Sequence, residues 1–495
     1  MPEMTETRRW LIVIAVMLAT ILEILDSTIV SISLPQMMGS FGATTDEITW
    51  ILTSYIVSSA IIMPLSGFLI NRLGSKKLLL INIIGFLIAS MLCGIAASLS
   101  EMVLFRIFQG IFGASLVPLS QFILRNTFPP EQIMKAMAIW AVGIMAAPVL
   151  GPTLGGYITE NLNWRWIFYV NLPFCLIAIV MCLKFIPETA IQKIKIDRLG
   201  IFLLIVSVTS LQIFLDRGNS AGWFESNSIL YLFILFILSF TIFIFHGLKS
   251  ADPVINLKLF SNRNFSASCL MLALFAAGII GVLSIQPLMM ENLMNYPPDF
   301  AGLVMAPRGI ASAIAMGFIP KLSRHINDRT LISSGIIFCA AGTYFMSLLN
   351  LYVDPMVFVW IGILQGIGMG LFFVPISKLA FITLLPKDFG EAAGIFSFGR
   401  NLGTSIGISL LSTLLTRENQ INWNALHANI SPFNPTLAYY HLDLHNPVTL
   451  KLLTHQITQQ AGAISFLDAY HAVTLAFILM LPLVFLLSPG KLTQQ

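Results

Sequence analysis

Charge is what this chain is short of. Asp, Glu, Lys and Arg make up 10% of its 495 residues, where a soluble domain carries about 25%. Apolar residues make up 57%. A water-solvated surface around a single core is excluded by that balance. Cysteines number five, Cys93, Cys175, Cys182, Cys269 and Cys339, all within apolar stretches and none in CxxC spacing. That excludes a disulfide framework and a cysteine metal centre. HExxH and nucleotide-binding loops are absent as well, which argues against an enzyme. The basic residues are spread over short segments and form no patch for nucleic acid. The first apolar run, Trp10 to Leu34, is too long for a signal-peptide core and carries Glu23 and Asp26. No cleavable signal is therefore expected, and Arg8-Arg9 is taken as an anchor, not a twin-arginine signal.

What the chain has is apolar length. Stretches able to cross a bilayer core of about 30 Å recur fourteen times, near 10–34, 47–70, 78–99, 102–124, 134–158, 165–186, 199–216, 227–247, 265–290, 299–320, 330–350, 356–382, 389–415 and 468–487. With the connecting segments assigned alternately to two sides, 20 of the 27 Lys and Arg fall on the side of the N-terminus, 4 on the other and 3 within spans. Basic loops stay on the cytoplasmic side during insertion. The expectation is an all-α membrane protein of 14 transmembrane helices with both termini cytoplasmic. Three regions follow: an N-terminal six-helix bundle, 1–190; a linker with two extra transmembrane helices, 191–263, opening on Lys193, Lys195, Asp197 and Arg198; and a C-terminal six-helix bundle, 264–495. The last region holds a long polar loop, 416–467, expected on the outer side, where 446–466 has the pattern of an amphipathic helix. His427, His441, His445, His455 and His471 lie in or beside it without metal-site spacing and are expected to be solvated.

Span four reads Arg106-Ile-Phe-Gln109-Gly110 and then Leu116-Val117-Pro118-Leu119-Ser120, and span twelve reads Gly362-Ile-Leu-Gln365-Gly366 and then Phe373-Val374-Pro375-Ile376-Ser377. Span two ends at Gly67-Phe68 before Asn71, Arg72, Gly74, Lys76 and Lys77, and span ten ends at Gly317-Phe318 before Lys321, Arg324 and Arg329. Two blocks of six spans in parallel repeat fit transporters with a site between two halves.

Ionisable residues inside spans are costly and mark function. Asp26 is the first candidate, because protonation removes its charge; a structural role beside Ser27 and Thr28 is the alternative. Glu23 lies three residues earlier, close to the same helix face. Arg106 keeps its charge and needs an acid or carbonyls. Arg308 and Arg400, the latter followed by Asn401, attract an anionic group of a substrate or serve structure. Gly151-Pro152 and Gly155-Gly156 in span five let helices approach and bend.

On these residues, together with Leu25-Asp26-Ser27-Thr28-Ile29-Val30, Trp164-Arg165-Trp166, Asn171 and Pro173, Leu211-Gln212, Leu215-Asp216-Arg217-Gly218 and Ser431-Pro-Phe-Asn-Pro435, the chain resembles the major facilitator superfamily. Within it the chain looks like the fourteen-span drug:proton antiporters of the EmrB/QacA type. The resemblance implies alternating access and multidrug efflux of amphipathic small molecules, with no cofactor beyond a proton gradient. It places Asp26, Glu23 and Arg106 in proton coupling, and Gln109, Arg308, Arg400 and Asn401 at the substrate cavity. Gly67, Asn71, Arg72, Gly74, Lys76, Lys77, Gly151, Pro152, Gly155 and Gly156 are its conformational motifs. It implies a bacterial inner membrane, a periplasmic adaptor and an outer-membrane channel. Asn71 stands where the family usually has Asp, and Glu23 where a neutral Gln is expected. Rival expectations are an exporter of one metabolite, such as a siderophore, and, from another class, a channel or membrane enzyme.

Overall fold

The computed structural model describes residues 5–189, 191, 196–250, 252–428, 430 and 446–488. Lys193, Lys195, residues 431–435, His441 and His445 lie outside these. The described residues contain no strand. Helices dominate because, in lipid, each must satisfy its own backbone hydrogen bonds.

Fourteen long helical segments occur among the described residues: α1 Glu6–Phe41, α2 Trp50–Leu73, α3 Ser75–Ile95, α4 Leu99–Thr127, α5 Pro130–Asn161, α6 Trp166–Phe185, α7 Arg198–Arg217, α8 Asn227–Lys249, α9 Arg263–Asn292, α10 Pro298–Leu322, α11 Asp328–Met346, α12 Pro355–Phe381, α13 Phe389–His427 and α14 Pro447–Leu486. Eleven of them are long and apolar enough, by length and composition, to cross a membrane. α13 is less apolar because it is rich in Gly and Ser and carries Arg400 and Asn401. Local chemistry sets several boundaries. Gly42 closes α1 at φ 62°, a left-handed cap that glycine adopts without strain. Pro64 interrupts α2 with a turn of 3-10 helix at Met63–Leu65, since proline lacks the N–H for the helix ladder.

Helix packing repeats. In the first half α1 packs on α5, α2 on α4, α3 on α4 and α6, and α1 on α6; in the second, α9 packs on α13, α10 on α12, α11 on α12 and α14, and α9 on α14. Small residues carry the closest pairings: Gly403 and Gly407 of α13 lie against the backbones of Ala273 and Ala277 on α9, the close approach that small residues spaced by four permit. The halves meet where α5 packs on α10 and α2 on α13. The pair α7 and α8 pack together, and α7 leans on both α2 and α13, so the insertion flanks that seam.

The polar stretch 416–467, expected as a loop with an amphipathic helix at 446–466, is helical at both ends. α13 runs on to His427 and α14 starts at Pro447. The apolar pattern stops there, but helix hydrogen bonding does not depend on apolar side chains. At 1.5 Å per residue the 39 residues of α13 span about 58 Å, well beyond a bilayer core of about 30 Å. Asn422 of this extension bonds Ser465 and Asp468 of α14, each at 3.4 Å.

At the end of the molecule that carries Arg72, Lys76 and Lys77, here called the basic end, the halves are in contact. Arg125, at the end of α4, donates to the carbonyl and hydroxyl of Ser377 on α12 at 2.9 and 3.1 Å. Its guanidinium lies 3.8 Å from the centre of the Phe381 ring. A Cβ on Gly394 of α13 would sit 3.0 Å from the Met63 carbonyl of α2, and Gly67 lies against the backbone of Glu391.

Candidate functional site

α1 carries both intramembrane acids on one face, next to α4 and α5. Gly151 of α5 packs against Thr28 and Gly155 against the backbone of Ile29. The Gly151 to Gly156 element thus seats α5 on α1 just past Asp26; a Cβ on Gly156 would meet nothing within 4 Å, and Pro152 continues the helix between them.

Asp26 and Arg106 form a buried ion pair, Nη1 to Oδ2 2.5 Å. Gln109 Nε2 donates to Asp26 Oδ1 at 2.8 Å and Asn171 Nδ2 to the same oxygen at 3.3 Å. Both amides also reach Ser90 Oγ, at 2.7 and 3.0 Å. Arg106 gives Nε to the Ile51 carbonyl at 3.2 Å and Nη1 to Gln109 Oε1 at 2.6 Å, and stands 4.2 Å from the centre of the Tyr55 ring. Helices α1, α2, α3, α4 and α6 therefore converge on one charge pair. Buried charges need this degree of pairing, because each costs several kcal/mol when left alone.

Glu23 is placed differently. It is 8% exposed, and its Oε2 has no hydrogen-bond partner among the described residues. Its side chain and the Tyr55 hydroxyl both lie close to Gly113. The opposite charge acting on it comes from Arg400 of α13, in the other half, and Asp26 acts on it as a like charge. Among the described residues Glu23 makes no ion pair within 4 Å. Arg400 and Asn401 are half-buried on α13.

Two of the residues expected at the substrate cavity are held in buried clusters. Gln109 is fully buried within the Asp26 cluster, because a primary amide can serve carboxylate and guanidinium together. Arg308 is buried inside the second half. It donates to Gln286 of α9, and its Nε and Nη1 have no partner among the described residues. Gly362 gives it room: a Cβ there would be 3.6 Å from that of Arg308.

In the connection after α2, Gly74 has φ 79° and joins α2 to α3. Ser75 N–H donates to Thr189 Oγ1 at 2.7 Å, and Lys76 Nζ to the Leu183 carbonyl at 2.9 Å. Arg72 and Lys77 are exposed, Asn71 half-buried. Tyr55, Ser90, Gln286 and Arg125 are parts of these clusters that sequence reasoning did not single out. The available signal was a polar or charged residue at a buried face or end of an apolar span.

The far end of α7 bridges the halves. Asp216 accepts from the Thr53 hydroxyl of α2. Arg217 donates to Thr49 at 3.3 Å and lies 4.7 Å from the centre of the Trp50 ring. Toward α13, Ser409 Oγ donates to the Leu215 carbonyl at 2.7 Å, Asn219 to Ser412 at 3.1 Å, and Trp223 to Thr413 at 3.2 Å.

The family model described as Major Facilitator Superfamily matches residues 16–408 and 266–485. The chain is 33% identical over 484 residues to "Multidrug export protein EmrB" of Escherichia coli (strain K12), covering 96% of this chain and 94% of that one. It is 34% identical over 481 residues to "Fatty acid resistance protein FarB" of Neisseria gonorrhoeae, covering 95% and 94%. Among solved structures, the human organic anion transporter MFSD10 (TETRAN) aligns with a TM-score of 0.65 at 14% identity, covering 96% of this chain and 99% of that one. A bacterial homologue of the lysosomal transporter Spinster, inward-facing and unoccupied, aligns at 0.58 and 15%, covering 98% and 100%. At those identities the structural likeness speaks to the fold. The packing repeat, the family match over most of the chain and the near full-length relatives agree: this chain belongs to the Major Facilitator Superfamily, among its EmrB-like transporters.

Proposed function

We propose that the protein is a proton-coupled exporter of amphipathic small molecules, crossing a bacterial cytoplasmic membrane fourteen times with both ends inside. The observation that carries this is the pair of acids on α1. Asp26 is locked by Arg106 and two amides, whereas Glu23 is buried with one oxygen unpartnered, and the opposite charge acting on it is Arg400 of the other half. A carboxylate at that seam can hold a proton or attract Arg400, but not both strongly. Taking up a proton loosens the electrostatic tie between the halves, and losing it restores the tie. Proton occupancy is thereby linked to rocking of the halves, as alternating access requires. The Asp26–Arg106 cluster supports this by holding α1 rigid and supplying the like charge beside Glu23.

Relatives named for multidrug export support the substrate class. A partnership with a periplasmic adaptor and an outer-membrane channel is part of the proposal. The paired extensions of α13 and α14, tied through Asn422, offer that adaptor a rigid surface on the outer side. The test is transport by purified protein in proteoliposomes under an imposed pH gradient, with cationic, neutral and anionic dyes. Dye movement against its gradient, driven by protons moving the other way, is expected. Movement that ignores the pH gradient overturns the coupling.

A further inference from the structure

A cleft of about 270 Å³ lies between α2, α7 and α13, toward the end opposite the basic end. Asp216, Gln212 and Asn219 of α7 line it, with Ser405 and Ile408 of α13 and Ile56 of α2. Three observations set it apart from the Asp26 cluster. First, its walls come from both halves and from the inserted pair, so its shape changes whenever the halves rock. Second, Asp216 is its charged lining residue among those described, and the adjacent Arg217 is turned to Thr49 and Trp50. Third, Gln212 is 3% exposed, and its Nε2 donor has no partner among the described residues. Gln212 and Asp216 are four residues apart on one helix and so present side by side. An orphan buried donor is costly, and a ligand acceptor would satisfy it.

We propose that this cleft binds the ammonium head of an amphipathic amine that carries an oxygen acceptor beside its charge. The ammonium pairs with Asp216, the acceptor takes the Gln212 N–H, and the apolar tail lies between Ile56 and Ile408. The volume is just under the roughly 300–1,000 Å³ of whole-ligand pockets, so the cleft holds a head and the start of a tail. Because α7 shields the seam there, the cleft sits on a route between the seam and the outer leaflet. The site rests on the exporter reading for its purpose, as a station for a departing substrate. The same head chemistry has two sources, a dissolved amine or the ethanolamine head of a lipid.

The test uses the full-length protein in phosphatidylcholine nanodiscs and the mono-dansyl-sulfonamide of 1,2-diaminoethane, whose ammonium stands two carbons from the sulfonamide and its sulfonyl oxygens. The neutral N-acetyl form is the control. The amine should bind about tenfold more tightly than its acetylated form, the scale of a charge-assisted hydrogen bond. Asp216→Asn should erase that difference, and Ile408→Trp should weaken the amine by filling the cleft without touching the acid. Equal amine affinity in wild type and both variants, at unchanged melting temperature, overturns the site. Adding phosphatidylethanolamine distinguishes the sources: competition assigns the site to the lipid head and its absence to the dissolved amine, and either result keeps an amine site. Dye efflux in proteoliposomes separates the two proposals. Selective amine binding without proton-driven efflux removes the exporter reading and leaves the cleft. Efflux with unselective binding does the reverse.

Discussion

The two acids of α1 should respond differently to loss of charge. Asp26→Asn keeps an oxygen for Gln109 and Asn171 but strips the counter-charge from Arg106, which is 0% exposed. What remains to the guanidinium is the Ile51 carbonyl, Gln109 and the Tyr55 ring. Breaking a buried pair from one side costs about 3–5 kcal/mol, or roughly a hundredfold or more in the folded-to-unfolded ratio. Glu23→Gln removes a charge whose Oε2 has no hydrogen bond among the described residues. Its cost should be the smaller of the two, because no ion pair within 4 Å is broken. The assay is unfolding of purified variants in mixed micelles, followed by circular dichroism, beside pH-gradient-driven efflux in proteoliposomes. Glu23→Gln should be the more stable of the two variants and show no proton-driven efflux. Asp26→Asn should lose stability and efflux together. A Glu23→Gln protein that couples normally, or an Asp26→Asn protein as stable as wild type, would refute the division of labour between these acids.

Gly394→Leu should hold the basic end apart, since a Cβ there already sits 3.0 Å from the Met63 carbonyl; a cysteine at Ser66 should then label from that side, and unchanged protection counts against closure through this contact. Cysteines replacing Phe224 and Lys77, both exposed, should label with an impermeant thiol reagent in intact cells at 224 only, against a low background because the five native cysteines are buried; labelling at 77 overturns the topology. At the head of α7, burial works against the Asp197 charge, but the Gly200 N–H, His246 and the Val254 N–H together hold its carboxyl below the usual range. A lowered folded value means its stabilisation is complete above about pH 4 and fades as pH falls through that lower value; Asp197→Ala should cost about 1 kcal/mol as a lost cap and flatten the acid limb of stability, and an unchanged limb contradicts this.

Much of this architecture was legible in the chain because membrane helices declare themselves by apolar length, and because charge inside them is rare enough to notice. Asp26 and Arg106 stood out for that reason, though eighty residues apart. Ser90 and Tyr55 did not, because small hydroxyls and aromatics are common in spans and bond silently to their own helix or face lipid. The extent of α13 was not legible either: hydropathy reports where lipid ends, and the helix goes on in water; the early start of α14 was, because 446–466 carries an amphipathic pattern. Arg125 counted as a loop cation in the sequence, since nothing local shows that Ser377 and Phe381 of the other half will meet it.

The two halves share a packing plan and differ in charge. A Cβ on Gly110 of α4 would sit 2.6 Å from the Tyr55 carbonyl, and Gly366 of α12 lies in the same way against the carbonyl of Arg308. Tyr55 and Arg308 therefore hold equivalent places, as do Gln109 and Gln365, each one residue earlier on α4 and α12. In the first half the guanidinium comes from α4 and rests on the Tyr55 ring. In the second the residue equivalent to Arg106 is Gly362, and the guanidinium comes from α10 instead. Both bundles thus bury an arginine beside a glutamine, but among the described residues the first answers it with a carboxylate, whereas α9 offers the neutral Gln286. A neutral partner cannot gain or lose charge with a proton, so Arg308 lacks the titratable partner that Asp26 gives Arg106. The asymmetry leaves the Asp26 carboxylate of α1 without a counterpart beside Arg308.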